Sequence, residues 1–385
     1  MEQKIKSISI FNLASLHLAI IEGIKPSIVL TNDWFTGLAA AYKKSGYFGD
    51  YYDNSKFLHI AHNLGDAYQG RIYLNKFCSL GHLGYLTGLN TEWLVDPYWG
   101  DKIFNPSRCA LMCSDQWATV SKSYRREVQE QCSLAPLLKN YSEPFAFPNG
   151  VRIREIQKRL NKLGSCEEEK INLLKKYFNV EYDDPIKYNE LVLFGFVGRI
   201  CEQKGVHLIL ESVEYILEIT KNNVYFILGG MVDGSEYSQY CAGFMHFLRE
   251  KYRSNFWASP NEFFTEGLYL TKGADFFLMP SLFEPGGIVQ HEALIAGTPV
   301  IAFNTGGLRD SISEFNLMTC EGNGFVFNEH NPQSFKNAVS RALNVHKIPK
   351  AYKQLTENCK VSSMDVTTVA RSWRAEFYRL MSRVN

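Results

Sequence analysis

The sequence predicts an α/β protein of two Rossmann-like domains, each a largely parallel sheet covered by helices. Three observations lead there. Short β-branched and aromatic runs alternate with amphipathic stretches, the pattern of parallel α/β units. Those runs are near-continuously apolar rather than alternating, as strands buried on both faces are. A chain of 385 residues, 45% of them hydrophobic, is also long and apolar enough to bury two cores.

In chain order, residues 2–22 read as a helix, followed by strands over 27–31, 56–61 and 117–121. Pro148-Asn149-Gly150 reads as a turn at a hinge. Residues 153–184, dense in Lys, Glu and Asn, are expected to form surface helices leading into a second sheet. Its strands fall at 191–197, 224–228, 274–279 and 299–303. Val206, Ile209, Leu210, Val213, Ile216 and Leu217 recur at the spacing of one helical core face. Val366, Val369, Ala370, Trp373, Phe377 and Leu380 mark a closing amphipathic helix. The expected domains are 1–150 and 151–364, with 365–385 as a helix packing back on the first. A doubly wound domain ordinarily opens with a strand and a glycine-rich turn. Here a helix comes first, so the first domain is expected to be incomplete, short of about a hundred residues by ordinary domain sizes.

Composition excludes several classes. With 41 Lys+Arg against 40 Asp+Glu, the net charge of +1 gives no basic surface for nucleic acid or an acidic membrane. The longest apolar runs, such as 224–232, fall short of the roughly 18 residues that span a bilayer, so no membrane partner is expected. Nine scattered cysteines are an odd number and predict reduced thiols rather than a disulfide framework. Cys109 and Cys113 lack a second Cys/His pair to complete a zinc site. Neither a signal peptide nor a transit peptide is legible, so a cytoplasmic location is expected, or a plastid should a targeting segment precede Met1.

Candidate chemistry gathers at strand ends. Pro280-Ser281-Leu282-Phe283-Glu284-Pro285-Gly286-Gly287 follows the strand at 274–279, and ligands of open α/β sheets bind beyond such carboxyl ends. A carboxylate there, such as Glu284, can accept hydrogen bonds from sugar or ribose hydroxyls, and Glu292 follows eight positions on, inside the next helix. Helix capping and a solvated face are the bland alternatives. Gly198-Arg199-Ile200-Cys201-Glu202-Gln203-Lys204-Gly205 follows the strand at 191–197. Arg199 offers a planar fork and Lys204 a point charge, a pair suited to a leaving diphosphate. Surface cations flanking a helix would look the same. After the strand at 299–303, Gly306 and Gly307 offer backbone N–H groups at a helix start. In the first half, Asp33 and His62 close two strands; the competing readings are an N-cap and a structural histidine.

These segments together resemble the retaining glucosyltransferases of the glycogen and bacterial/plant starch synthase family. The residues that carry the resemblance in the first half are Asn32-Asp33-Trp34, His62-Asn63, Tyr68-Gln69-Gly70 and Thr119 to Tyr124. In the second half they are Asn149-Gly150, Gly198-Arg199, Gln203-Lys204-Gly205, Phe283-Glu284-Pro285, Gly297-Thr298-Pro299 and Thr305-Gly306-Gly307-Leu308. The resemblance runs from about Pro26 to the C-terminus. It implies a GT-B fold with a catalytic cleft between its two domains. It also implies transfer of glucose from ADP-glucose or UDP-glucose to the non-reducing end of an α-1,4-glucan, with retention and without a metal or other cofactor. By motif position, Glu284 would support reaction of the donor glucose, Arg199 and Lys204 would hold its diphosphate, and Gly306 and Gly307 would give it backbone donors. Glu292 would hold the ribose, His62 would touch the sugar, and Asp33 would line the acceptor side. The sequence departs from the family in lacking the Lys-x-Gly-Gly loop, in Phe35 for His or Gln, in Leu282 for Arg, in Gly286 for Cys, and in an insertion at Gly65-Asp66. Two alternatives therefore stay open: a catalytically silent relative that binds glucan or nucleotide as a scaffold or regulator, and a retaining GT-B transferase with another acceptor. The donor base and the oligomeric state are open as well.

Overall fold

The computed structural model describes residues 1–74, 79–98, 103–141 and 143–382. The chain divides into two compact units, Met1–Pro148 with Thr368–Asn385, and Asn149–Thr367.

In the first unit the strands are β1 (Ile28–Asn32), β2 (Lys56–Ala61), β3 (Ile72–Tyr73), β4 (Ile103–Phe104), β5 (Gln116–Thr119) and β6 (Phe145–Ala146). Among the described residues, β1-β2-β5-β6 form one parallel sheet and β3 with β4 an antiparallel pair. Successive β2 side chains alternate between faces, as strand geometry requires. Phe57 joins Tyr42, Tyr52 and the first helix (Glu2–Ile21), whose Ile5, Ile8 and Leu16 are buried there. Leu58 and Ile60 instead join Phe145, Phe147 and the closing helix (Val366–Ser382). Trp373 of that helix stacks on Phe147 with ring centroids 3.8 Å apart.

The first helix corrects the sequence reading in one respect: by length and composition it is apolar enough to cross a membrane. A core-packing helix passes the same test. One face of this helix is in the hydrophobic core, while Ile10, Phe11, Leu18 and Ile21 are exposed.

The second unit holds β7 (Val192–Val197), β8 (Val224–Gly229), β9 (Phe256–Ser259), β10 (Phe276–Met279), β11 (Val300–Phe303) and β12 (Gly324–Phe327). They pair in parallel in the order β12-β11-β10-β7-β8-β9. Phe194, Phe226 and Phe276 stack across three neighbouring strands, with centroids 5.2 and 5.7 Å apart. On the other face, Leu193, Tyr225 and Ile227 meet Leu173, Leu174 and Phe178 of the helix Cys166–Phe178. That helix is not the surface element the polar composition predicts. Its Lys170 is buried and paired with buried Asp275 at 2.7 Å, so one long-range contact places a charged segment in the core. The single helix expected over 206–217 is two, Val206–Leu210 and Val213–Ile219, separated where Ser212 Oγ bonds back to Leu208 O at 2.7 Å. The eight described cysteines are all free thiols.

This strand order sets the carboxyl ends of β11, β10 and β7 side by side. The residues that follow those three ends form the centre of the candidate site.

Candidate functional site

The segment after β10 is held from both sides. From the β7 side, Gln203 O accepts the Leu282 N–H at 2.9 Å and Gln203 Nε2 donates to Phe283 O at 3.2 Å. Gly205 sits at φ +62°, and a Cβ there would lie 2.1 Å from Pro280 O. Only glycine combines that backbone with that approach. The result is that Lys204 Nζ reaches Glu284 Oε2 at 2.5 Å. Ser281 Oγ donates to the same oxygen at 3.2 Å. Glu284 is buried, and among the described residues its Oε1 takes no hydrogen bond from the protein. A carboxylate oxygen so placed can receive a ligand hydroxyl while Lys204 neutralises its charge.

From the β11 side, Gly307 N–H donates to Glu284 O at 2.7 Å. A Cβ on Gly306 would lie 2.2 Å from Glu284 O, and one on Gly307 2.3 Å from Gly286 O. This corrects the expectation for Gly307: its amide is committed to the neighbouring loop, and the two glycines serve close packing of loop on loop. Arg199 is exposed and linked to the group through Gln203 Oε1 at 3.4 Å. Glu292 stands apart. Half-buried on the helix Val289–Ala296, its side chain makes no hydrogen bond among the described residues, and burial pushes its carboxyl up against the opposing charge of Arg159.

The first unit brings Asp33 and His62 together. Asp33 Oδ1 accepts the His62 N–H at 2.7 Å and the Asn63 N–H at 3.4 Å. Its backbone lies at φ 51°, ψ −173°, a region costly for any residue but glycine. Its side chain makes no cap bond to the turn Trp34–Thr36, so the N-cap reading is replaced by a tie between the ends of β1 and β2. The exposed His62 ring places Nε2 3.1 Å from Asn32 Oδ1. Behind them, Gln69 anchors the loop: Nε2 donates to Leu64 O and Ser133 Oγ, while Oε1 accepts from Asn105 Nδ2 at 2.9 Å. Gly70, at φ +73°, lies flat over the Trp34 indole.

Sequence reasoning named Ser281 and Gln203 only as parts of motifs, with no task. It missed His330 altogether, although its Nε2 contacts Pro280 O at 2.9 Å. That ring lines a cavity of about 520 Å³, lined also by Glu202, His207, Glu211 and Tyr237. Burial holds His207 below its ordinary value, and the charge of His330 adds to that shift. No spacing rule in the sequence marks a histidine that acts only on a backbone carbonyl.

Comparison with known proteins adds independent findings. Residues 182–361 match the family described as glycosyl transferases group 1, and residues 1–140 the starch synthase catalytic domain. The glycogen synthase of Kosmotoga olearia is 32% identical over 88% of this chain and 68% of its own length. That of Mycoplasma mobile is 30% identical over 87% and 69%. Among solved structures, the catalytic domain of starch synthase IV from Arabidopsis thaliana, bound to ADP and acarbose, superposes with a TM-score of 0.80. It is 25% identical and covers all of this chain and 78% of its own. The architecture is GT-B.

Proposed function

The chain belongs to the glycogen and starch synthase family of glycosyltransferases, and on that premise we propose that it transfers glucose from ADP-glucose or UDP-glucose to the non-reducing end of an α-1,4-glucan, with retention. One observation carries the reading: buried Glu284, with Lys204 on its Oε2 and, among the described residues, no protein partner on Oε1, at three adjacent strand ends. In this reading Oε1 takes a hydroxyl of the donor glucose. An ammonium group has three protons, so Lys204 can hold Glu284 and a donor phosphate together, with Arg199 as the second cation. Charge that develops on the departing diphosphate then meets two fixed positive groups, which supply the stabilisation a metal would otherwise provide. Glu292, its carboxyl not committed to a protein donor among the described residues, is suited to ribose hydroxyls. Asp33 and His62 are assigned to the acceptor side and to the transferred sugar. The solved relative's ADP and acarbose support a nucleotide-diphosphate donor and a saccharide-like ligand.

The chain spans 68% and 69% of the lengths of two glycogen synthases it matches. A second reading is a silent relative that binds nucleotide or glucan without turnover. Incorporation of labelled glucose into glycogen, with ADP-glucose and UDP-glucose supplied separately, tests both. Turnover with either donor, abolished in Glu284→Gln, establishes the synthase and names its donor. Absence of turnover with retained nucleotide or glucan binding establishes the silent relative.

A further inference from the structure

At the opposite end of the six-stranded sheet from Glu284, a cavity of about 570 Å³ opens near the start of β10 and β11. Its floor is a buried charge group. Asp275, the residue before β10, accepts from Lys170 Nζ and from Leu193 N–H, each at 2.7 Å, and His346 Nε2 lies 3.4 Å from its other oxygen. Burial alone would raise the Asp275 carboxyl, but the Lys170 and His346 charges bring it down to about 2. The floor is thus internally paired and close to neutral.

Three further lysines line the walls and rim: Lys272, Lys353 and Lys360. Lys272 Nζ donates one hydrogen bond to Leu160 O at 2.8 Å. Lys360 meets Glu357 at 2.7 Å in an exposed i,i+3 pair, an interaction worth little. Lys353 is exposed at the mouth. Against the four lysines, the lining holds two carboxylates, Asp275 and Glu167, so these six side chains alone leave an excess of two positive charges. The helix Pro349–Val361 also begins at the cavity, and no side chain caps its first turn. Its orphan N–H groups add to the positive end. A neighbouring cavity of about 620 Å³ shares Lys272 and Lys360, so these two amines stand on the wall common to both.

The frame around these groups is closely packed. A Cβ on Gly273 would lie 2.8 Å from the Glu169–Lys170 backbone, and one on Gly297 would lie 2.8 Å from Lys360 Cε. Glycine at both positions lets the helices and the Lys360 stem close around the cavity. We propose that this cavity is a second ligand site of the protein, separate from the strand-end site around Glu284, and that it binds a small phosphorylated anion. A phosphoryl group offers three acceptor oxygens and up to two negative charges to several convergent amines. The cavity volume leaves room for a sugar-sized body beside it.

The proposal is tested by titration calorimetry with inorganic phosphate, pyrophosphate and a hexose monophosphate, which separate a free anion from a phosphate ester. Three proteins are compared: wild type, Arg199→Ala/Lys204→Ala, and Lys353→Ala/Lys360→Ala. Both substituted lysines of the last are exposed and outside the strand-end site, and its thermal midpoint is expected to equal the wild type's. At least one probe should bind the wild type and the Arg199/Lys204 variant alike. Its affinity should fall about tenfold or more in the Lys353/Lys360 variant and in Lys353→Glu, and should weaken with added salt. Unchanged affinity in the Lys353/Lys360 variant, loss of binding in the Arg199/Lys204 variant alone, or no binding of any probe at millimolar concentration would each overturn it.

Discussion

Replacing Gly307 by Ala adds one methyl group and no charge, at a residue whose φ does not lie in the left-handed region. Any effect must therefore come from packing. The added Cβ would stand 2.3 Å from Gly286 O, whereas ordinary contact begins at 3.4 Å. The two loops must part by about 1.1 Å, because both neighbours are backbone and neither can rotate away. The hydrogen bond from Gly307 N–H to Glu284 O, now 2.7 Å, then stretches beyond useful length. Lost bond and overpacking together should cost about 2–4 kcal/mol of stability. The larger consequence is catalytic. Glu284 lies on the displaced loop, and a misplacement of about 1 Å at a reacting group costs on the order of 100-fold in rate. Glucose transfer assayed at saturating donor should show that loss in kcat, with the thermal midpoint of the same preparation reporting the stability change. A Gly307→Ala enzyme with wild-type kcat and midpoint would refute the claim that contact with the β11 loop sets the position of Glu284.

Other outcomes follow from single contacts. Glu284→Gln keeps the shape but removes the charge facing Lys204; kcat should drop by about three orders of magnitude with donor affinity within about tenfold, measured by initial rates and nucleotide titration. Asp33→Ala removes the acceptor of two backbone N–H groups and should destabilise by about 1–2 kcal/mol in urea, while Asp33→Asn, which keeps a carbonyl there, should cost less than half as much. Burial, with a smaller push from His62, holds His59 at about 3, so its imidazole is neutral in the fold and protonates first in the unfolded chain. That contribution is fully present above about pH 6.5 and is lost as pH falls toward 3, by about 1.4 kcal/mol per pH unit; His59→Gln should flatten the stability profile between pH 6.5 and 4.5. Lys170→Met strands the buried Asp275 carboxylate and should cost about 3–5 kcal/mol at neutral pH, with at least half recovered in Lys170→Met/Asp275→Asn, read from paired denaturation curves.

The central strands are legible because burial on both faces writes itself into the sequence. β2, β7 and β8 are near-continuous apolar runs, and the expected bounds differ from the observed ones by a residue at most. The strands that escape notice are those at the margins. β6, β9 and β12 each end a sheet, and β9 alternates between buried and half-buried positions. Two-residue β3 and β4 are too short to show any period. The break at Glu211-Ser212 is invisible for the opposite reason: the apolar spacing continues across it, so only the turned backbone reveals two helices. Lys170 could not be placed at all from its neighbours, since the carboxylate that lets it be buried lies 105 positions along the chain.

At the candidate site the same distinction separates residue type from residue task. Glu284, Lys204 and the glycines are identifiable because they follow strands whose ends ligands use. Their tasks depend on which loop touches which. Gly205 and Gly307 read alike in sequence, as small residues at a helix start. In the structure each brings a flanking loop within backbone contact of the segment from Pro280 to Gly286, from opposite sides. An amide that looks available to a phosphate is instead used to hold a carbonyl. Such a loop, fixed at Pro280 by Gly205 and His330 and at Glu284 by Gly307, has little freedom left to rearrange when charge develops beside it. Transition-state stabilisation by preset groups requires that rigidity. On the proposed reading the glycines act on the chemistry through the position of Glu284, and a methyl group on one of them tests the geometry more directly than removal of the carboxylate itself.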